Sequence, residues 1–138
     1  MCYQSDLVNL ARERCHARKG DDLIGCDFHE FIFMGKRMGI IRSGIGAPMA
    51  AIILERLIVR GVERIINAGI AGSLYHKGMR PGDIVLCTKA VRNEGTSYHY
   101  QRPSKFSYPD EALLNAIDEA LIREKIAYHK GPTISIDG

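Results

Sequence analysis

Two glycine-rich stretches, Ser43-Gly44-Ile45-Gly46-Ala47-Pro48 and Asn67-Ala68-Gly69-Ile70-Ala71-Gly72-Ser73, each follow a short apolar run and flank one hydrophobic helical pattern. This order constrains the chain more than any other feature, because it spells a βαβ unit with parallel strands and a right-handed crossover. In an open α/β sheet the ligand crevice lies outside the carboxyl ends of the strands. Two glycine loops leaving neighbouring strands therefore predict a small-molecule site at that edge. The plainer alternative is that the glycines only permit tight strand-to-helix turns.

The flanking pattern fills in an α/β fold. Ser5 is expected to cap a first helix carrying Leu7, Leu10, Ala11 and Cys15, with Arg14, Arg18 and Lys19 complementing its carboxyl-end dipole and Gly20 as its stop. Residues 28–33 and 38–42 predict extended runs joined by a hairpin turn at Met34-Gly35-Lys36-Arg37. Pro48 opens a helix with Met49, Ile52, Ile53 and Leu57 at helical spacing, ended by Gly61. Leu54, Ile58 and Val59 widen its apolar surface, so it is expected to be largely buried. Residues 64–68 predict the second strand of the unit, and residues 83–92, after the Pro81-Gly82 turn, a third strand on the same sheet. Residues 93–108 carry four aromatics and little periodicity, and a loop of that length is more often functional or interfacial than idle. Pro109 opens a last helix with Leu113, Leu114, Ile117, Ala120 and Leu121 on one side, and residues 126–136 read as a final strand. The expected architecture is a mixed, largely parallel sheet flanked by helices in a single domain of residues 1–138.

Composition narrows the partners. With 46% hydrophobic and 25% charged residues, the 138-residue chain reads as an ordinary globular domain. The 19 basic and 16 acidic side chains interleave, as in Arg12-Glu13-Arg14 and Glu55-Arg56, which predicts solvated helix faces and no nucleic-acid partner. Cys2, Cys15, Cys26 and Cys87 show no paired metal-ligand spacing, so reduced thiols, no metal and a cytoplasmic location are expected. No apolar run has the length of a membrane span, so no membrane partner is expected either.

The loops could approach a ligand closely through their backbones, and the amides opening the Pro48 helix form an expected anion site. A dinucleotide fingerprint beginning at Gly44-x-Gly46 fails at Met49, where a third glycine would be needed, so no nicotinamide cofactor is expected. His99, between Tyr98 and Tyr100, could bond a ligand or serve a subunit contact. Arg92 and Glu94 flank the long loop and could pair with each other or cap it. His16 and His129 are expected on solvated surfaces, and His76 has no evident partner. Ser97 lacks the surroundings of a nucleophile.

Four segments in order, residues 43–48, residues 67–74, Arg80-Pro81-Gly82-Asp83-Ile84-Val85, and Val91-Arg92-Asn93-Glu94-Gly95-Thr96-Ser97-Tyr98-His99-Tyr100, resemble the nucleoside phosphorylase and nucleosidase superfamily. That family includes uridine phosphorylase, hexameric purine nucleoside phosphorylases and methylthioadenosine nucleosidase, and the resemblance runs from about Cys26 onward. It implies cleavage of a nucleoside's N-glycosidic bond, releasing a free purine or pyrimidine base. Inorganic phosphate is the co-substrate in the phosphorylases and water the attacking group in the nucleosidases. It also implies a homo-oligomer whose sites borrow residues from a neighbour, with His29 in the intersubunit region.

Carried over by position, the resemblance makes Ile45, Gly46, Asn67, Gly69, Ile70, Ala71, Gly72 and His99 the substrate-binding candidates. Ile45 would line the base and ribose pocket, and Ala71 and Gly72 would line the base with backbone. Ile70 stands where the phosphorylases place a serine or threonine, Asn67 where they place an arginine, and Ile32 where a neighbour's arginine is expected. The family's glycine-aspartate-proline-x-arginine phosphate loop has no counterpart near the amino terminus, while Asn67 and the Ser43-Gly44-Ile45-Gly46 wording resemble the hydrolytic members. Residues 133–138 resemble the strand that precedes the family's base-stacking phenylalanine. The ribose clamp and the carboxylic acid follow beyond that strand in the family, so the chain is expected to be the first half of the fold. Two alternatives accompany a catalytic reading: a non-catalytic member that binds ligand or assembles with a partner, and a phosphate-independent nucleosidase. Asp137 is expected to serve a turn or cap.

Overall fold

A Met34-Gly35 turn between two extended runs marks the hairpin in the sequence, and the two runs pair from Phe28–Ile41 to Phe33–Lys36. A computed structural model describes residues 1–21, 23, 25–74 and 78–136 of the chain. Its elements in order are α1 (Ser5–Cys15), β1 (Arg18–Lys19), β2 (Phe28–Phe33), β3 (Lys36–Ile41), α2 (Ala47–Val59), β4 (Ile84–Asn93), β5 (Phe106–Ser107), α3 (Glu111–Arg123) and β6 (Tyr128–Ile136). The chain divides into two compact units, Met1–Ala71 and Gly72–Gly138. The expectations for His76 and Asp137 lie outside the described residues.

In the first unit β1, β2 and β3 form an antiparallel sheet in that order. The hairpin turn is tighter than expected, with Phe33 paired to Lys36 and only Met34 (φ 50°) and Gly35 (φ 75°) between them. Positive φ at both central residues matches the twist of the flanking strands. Phe28 lies against two glycines: a Cβ on Gly20 would stand 2.6 Å from its ring and one on Gly39 2.7 Å. Gly20 is therefore required for ring packing and does not stop the first helix. That helix ends at Cys15, with His16 in the left-handed conformation at φ 51°. Arg18 and Lys19, expected to complement the helix dipole, are instead strand β1. The helix has Gln4 at its N-cap position, so Ser5 is its first residue and not its cap.

The βαβ unit departs from expectation in one respect. Residues 64–68 form no extended strand; only Ala68 makes a bridge, and its partner is Cys2, which also bridges Arg42. Residues 1–3 thus lie parallel between the end of β3 and the 66–68 segment. On one side the Cys2 amide donates to the Ile41 carbonyl at 2.8 Å and the Ser43 amide to the Cys2 carbonyl at 2.7 Å. On the other, the Met1 nitrogen donates to the Ile66 carbonyl at 2.8 Å and the Ala68 amide to the Met1 carbonyl at 3.0 Å. The two glycine loops leave parallel segments one place apart, and only the first of them follows a strand.

Leu23, Ile41, Ile53 and Leu57 form the core beneath this edge, joined by Met1, Cys26, Phe28, Met49 and Ile65. Only Ile53 and Leu57 of α2 are buried, while Ile52, Ile58 and Val59 are exposed, so the expectation of a largely buried helix is corrected. Pro48 sits in its first turn and Gly61 follows its end, as the sequence predicts.

The second unit holds a mixed sheet in the order β5-β4-β6, with β4 and β6 parallel and β5 antiparallel. The strand at residues 83–92 therefore belongs to a different sheet from β3. Because α3 connects the parallel pair β4 and β6, this unit contains a directly paired βαβ. Asp110 caps α3 by accepting from the Leu113 amide at 2.8 Å, placing Pro109 just outside the helix. Asp118 on α3 accepts from the Tyr128 hydroxyl and, at 2.8 Å, from Lys130 Nζ, tying the helix to β6.

Candidate functional site

The carboxyl edge of the first unit is assembled by hydrogen bonds to the segment 1–3. Ser43 is buried, with both its amide and its Oγ on the Cys2 carbonyl, so it anchors the loop and has no lone role toward a ligand. A Cβ on Gly44 would come within 2.8 Å of Met49 Cγ, which explains why the loop needs glycine there and how Met49 packs where a dinucleotide site would have a third glycine. Gly46 turns the chain into α2 at φ 96°, a conformation that favours glycine. Ile45, between them, is 95% exposed.

Across the segment 1–3 stands the second loop. Asn67 Nδ2 donates to the Tyr3 hydroxyl at 3.1 Å, and a Cβ on Gly69 would lie 2.5 Å from the Tyr3 ring. Ile70 and Ala71 follow, both exposed. Ile45 and Gly46 on one side, and Asn67, Gly69, Ile70 and Ala71 on the other, thus flank one parallel segment and leave the same edge. Tyr3 is the residue that sequence reasoning missed. Three residues carry no readable periodicity, and only their position just ahead of the α1 pattern could have marked them as an extended segment.

Gly72 and His99 belong to the second unit. His99 is exposed, at the end of a 3₁₀ turn (Thr96–His99) within the segment that the sequence left without structure. That segment is organised by the buried Arg92. Its Nε donates to Ser97 Oγ at 2.9 Å, Nη1 to the Arg102 carbonyl at 2.7 Å and Ser104 Oγ at 2.9 Å, and Nη2 to the Gln101 carbonyl at 3.3 Å. Its guanidinium carbon lies 4.5 Å from the centre of the Tyr98 ring, whose hydroxyl returns to the Arg92 carbonyl. Glu94 accepts from the Ser97 amide at 2.9 Å. Hydrogen bonds from Ser97, hydroxyl and then amide, hold its carboxyl below the usual carboxylate range. Of the two roles open to this pair, both side chains cap the loop.

Three further histidines are placed. His29 is buried in β2, with Nδ1 3.4 Å from Asp27 Oδ1 but without hydrogen-bond geometry. His129 lies 3.3 Å from Asp83 Oδ2, so it is paired rather than merely solvated. Asp83 also accepts from the Arg80 amide, and this bond, with that of His129, depresses its pKa. His16 terminates α1.

In the first unit both glycine loops thus leave one edge of parallel segments. The chain belongs to the Phosphorylase superfamily, whose profile it matches over residues 5–138. It is 36% identical over 137 residues to a guanosine phosphorylase of Halorubrum lacusprofundi, covering 99% of this chain and 52% of that protein. It is 25% identical over 126 residues to a 5'-methylthioadenosine/S-adenosylhomocysteine nucleosidase of Bacillus cereus, covering 86% and 54%. Its fold superposes on the crystal structure of uridine phosphorylase from Vibrio fischeri ES114 with a TM-score of 0.88 at 28% identity, covering 99% of this chain and 57% of that one. The chain spans about half the length of the relatives it matches. Among the described residues no helix is long and apolar enough to cross a membrane.

Proposed function

We propose that this chain takes part in cleaving the N-glycosidic bond of a purine or pyrimidine nucleoside, releasing the free base. The observation that carries the reading is the pair of glycine loops flanking the Met1–Tyr3 segment at one edge, in a member of the Phosphorylase superfamily. At Gly46, where nothing lies closer than 3.7 Å to the position of a Cβ, the open backbone lets a flat base and sugar approach. The exposed Ile45 and Ile70 supply apolar cover, and the Asn67 amide and Tyr3 hydroxyl supply hydrogen bonds. Such a cleavage passes through positive charge at the anomeric carbon and needs a proton or hydrogen bond for the departing base. His99 is assigned to ligand contact on the strength of the resemblance of its segment.

The same reading makes the protein a cytoplasmic homo-oligomer. All four cysteines are free thiols, in keeping with a reducing compartment. Ile32, Phe33 and Met34 at the hairpin tip and Ile58 and Val59 on α2 are exposed, and apolar surface of that kind favours association. Incubating the pure chain with inosine, uridine and methylthioadenosine, with and without phosphate, and following free base by chromatography tests the activity. Base release from one of them is expected, and no release from any sinks the view that this chain cleaves nucleosides by itself.

A further inference from the structure

The first unit holds a buried polar group that its surroundings leave unpaired. His29 is 4% exposed, and among the described residues its Nδ1 has no hydrogen-bond partner. Strand alternation puts this ring on the face of β2 opposite Phe28, which joins the core. Beside Nδ1, at 3.4 Å, lies Asp27 Oδ1, misaligned for a bond. The His29 side chain is fixed by burial, whereas that of Asp27 is 40% exposed and has room to turn. Asp27 is in turn joined to the first glycine loop. Its carbonyl accepts from the Arg42 amide at 3.0 Å, and the next residue, Ser43, anchors the loop through its amide and Oγ on the Cys2 carbonyl.

A neutral imidazole offers one donor and one acceptor, and a protonated one offers two donors and a charge. Histidine makes that change near neutral pH. With Nδ1 protonated, a small turn of Asp27 completes a charge-assisted hydrogen bond. Other charges surround the pair. Lys19 stands opposite His29 in the β1–β2 register and is exposed, while Ile40, opposite on β3, is uncharged. Helix α1, which lies against β2, buries Val8 and carries the exposed Arg12 one turn further on. Glu30, on the other face of β2, is held by Arg37 at 2.9 Å. Around the Cys2 thiol stand Asp27, Arg42 and the Met1 ammonium, the last bonded to the Ile66 carbonyl. We propose that His29 and Asp27 form a pH-operated latch on the first glycine loop: protonating the ring closes the gap from Nδ1 to Oδ1, and the turn of Asp27 is passed through its carbonyl to Arg42 and Ser43. The step adds one proton from solvent to Nδ1 and breaks no covalent bond. Resting on the nucleoside reading, the consequence is that the edge binds its ligand with different affinity in mild acid and mild base.

Following the His29 ring and the backbone amides of the isotope-labelled full chain by NMR from about pH 5 to about pH 8 tests the latch. The Arg42, Ser43 and Gly44 amides are expected to shift with the same midpoint as the His29 ring. Asp27→Asn, which keeps the shape and removes the charge, leaves the ring titrating and abolishes the shifts at residues 42–44. His29→Gln abolishes them as well, while His129→Gln, in the second unit, leaves them in place. A His29 ring that holds one charge state throughout the range overturns the proposal, as do amides at 42–44 that keep titrating in Asp27→Asn. Inosine titrated at the two ends of the range tests the consequence. Affinities about fivefold apart in the unaltered chain and equal in Asp27→Asn are expected, and equal affinities in the unaltered chain overturn the latch's role at the site. If inosine binds at neither pH, the nucleoside reading falls, and the amides at 42–44 still decide the latch.

Discussion

Single side chains settle much of this structure through the glycines they lean on. The Tyr3 ring occupies the space a Cβ at Gly69 would need, so Gly69→Ala should cost about 1–3 kcal/mol in urea unfolding, the range for overpacking. Combined with Tyr3→Ala the penalty should largely vanish. Equal penalties in both backgrounds would show that the ring is not the obstacle. The sequence marks these positions as glycine without revealing why: Gly20 reads as a helix stop but serves the Phe28 ring, a contact across strands that local pattern does not encode. A second residue-scale prediction concerns Asp118. Hydrogen bonds from Lys130 and then Tyr128 hold its carboxyl below the usual range. A folded pKa below the unfolded one means the contribution is complete above about pH 4, the unfolded carboxylate value, and fades as pH falls through the lower folded value. The urea midpoint of the unaltered chain should exceed that of Asp118→Asn at pH 7, and the gap should close in acid. A gap independent of pH would contradict it.

Elements were legible in proportion to their length and periodicity. Helices α2 and α3 show a clear period and the hairpin is marked by its glycine turn, and their types are as the sequence predicts. The Met1–Tyr3 segment and the bridge at Ala68 are too short to show one, and they exist because hydrogen bonds on both sides of Cys2 complete the edge. The placement of β4 in its own sheet was equally unreadable, since pairing partners are set by tertiary structure. Residues 93–108 look structureless in sequence because their order comes from one buried guanidinium rather than from a repeating pattern. Arg92→Ala should therefore raise amide exchange throughout residues 96–106 while leaving β6 and α3 protected. Unchanged exchange in that loop would remove Arg92 from its organising role. For α3 the determinant is its cap: Asp110→Ala should cost about 1 kcal/mol of stability in urea unfolding, and Asp110→Asn distinctly less.

At the scale of the molecule, the α/β class and the Phosphorylase superfamily follow from motif order, and profile and fold comparisons agree. The candidate site was legible as two loops but not as an arrangement. Sequence showed Asn67 and Gly69 without the tyrosine that joins them, and it placed the loops on adjacent strands. The chain spans about half the length of its relatives, with 52% of the guanosine phosphorylase and 57% of the uridine phosphorylase structure covered. What is proposed is therefore binding: a nucleoside held at the edge formed by residues 1–3, 43–48 and 67–71. Titrating the isotope-labelled chain with inosine, uridine and methylthioadenosine tests it most directly. Saturable shifts from at least one of them, concentrated at Tyr3, Gly44, Ile45, Gly46, Asn67, Gly69 and Ile70, are predicted. Shifts absent with all three, or confined to other parts of the chain, would contradict it.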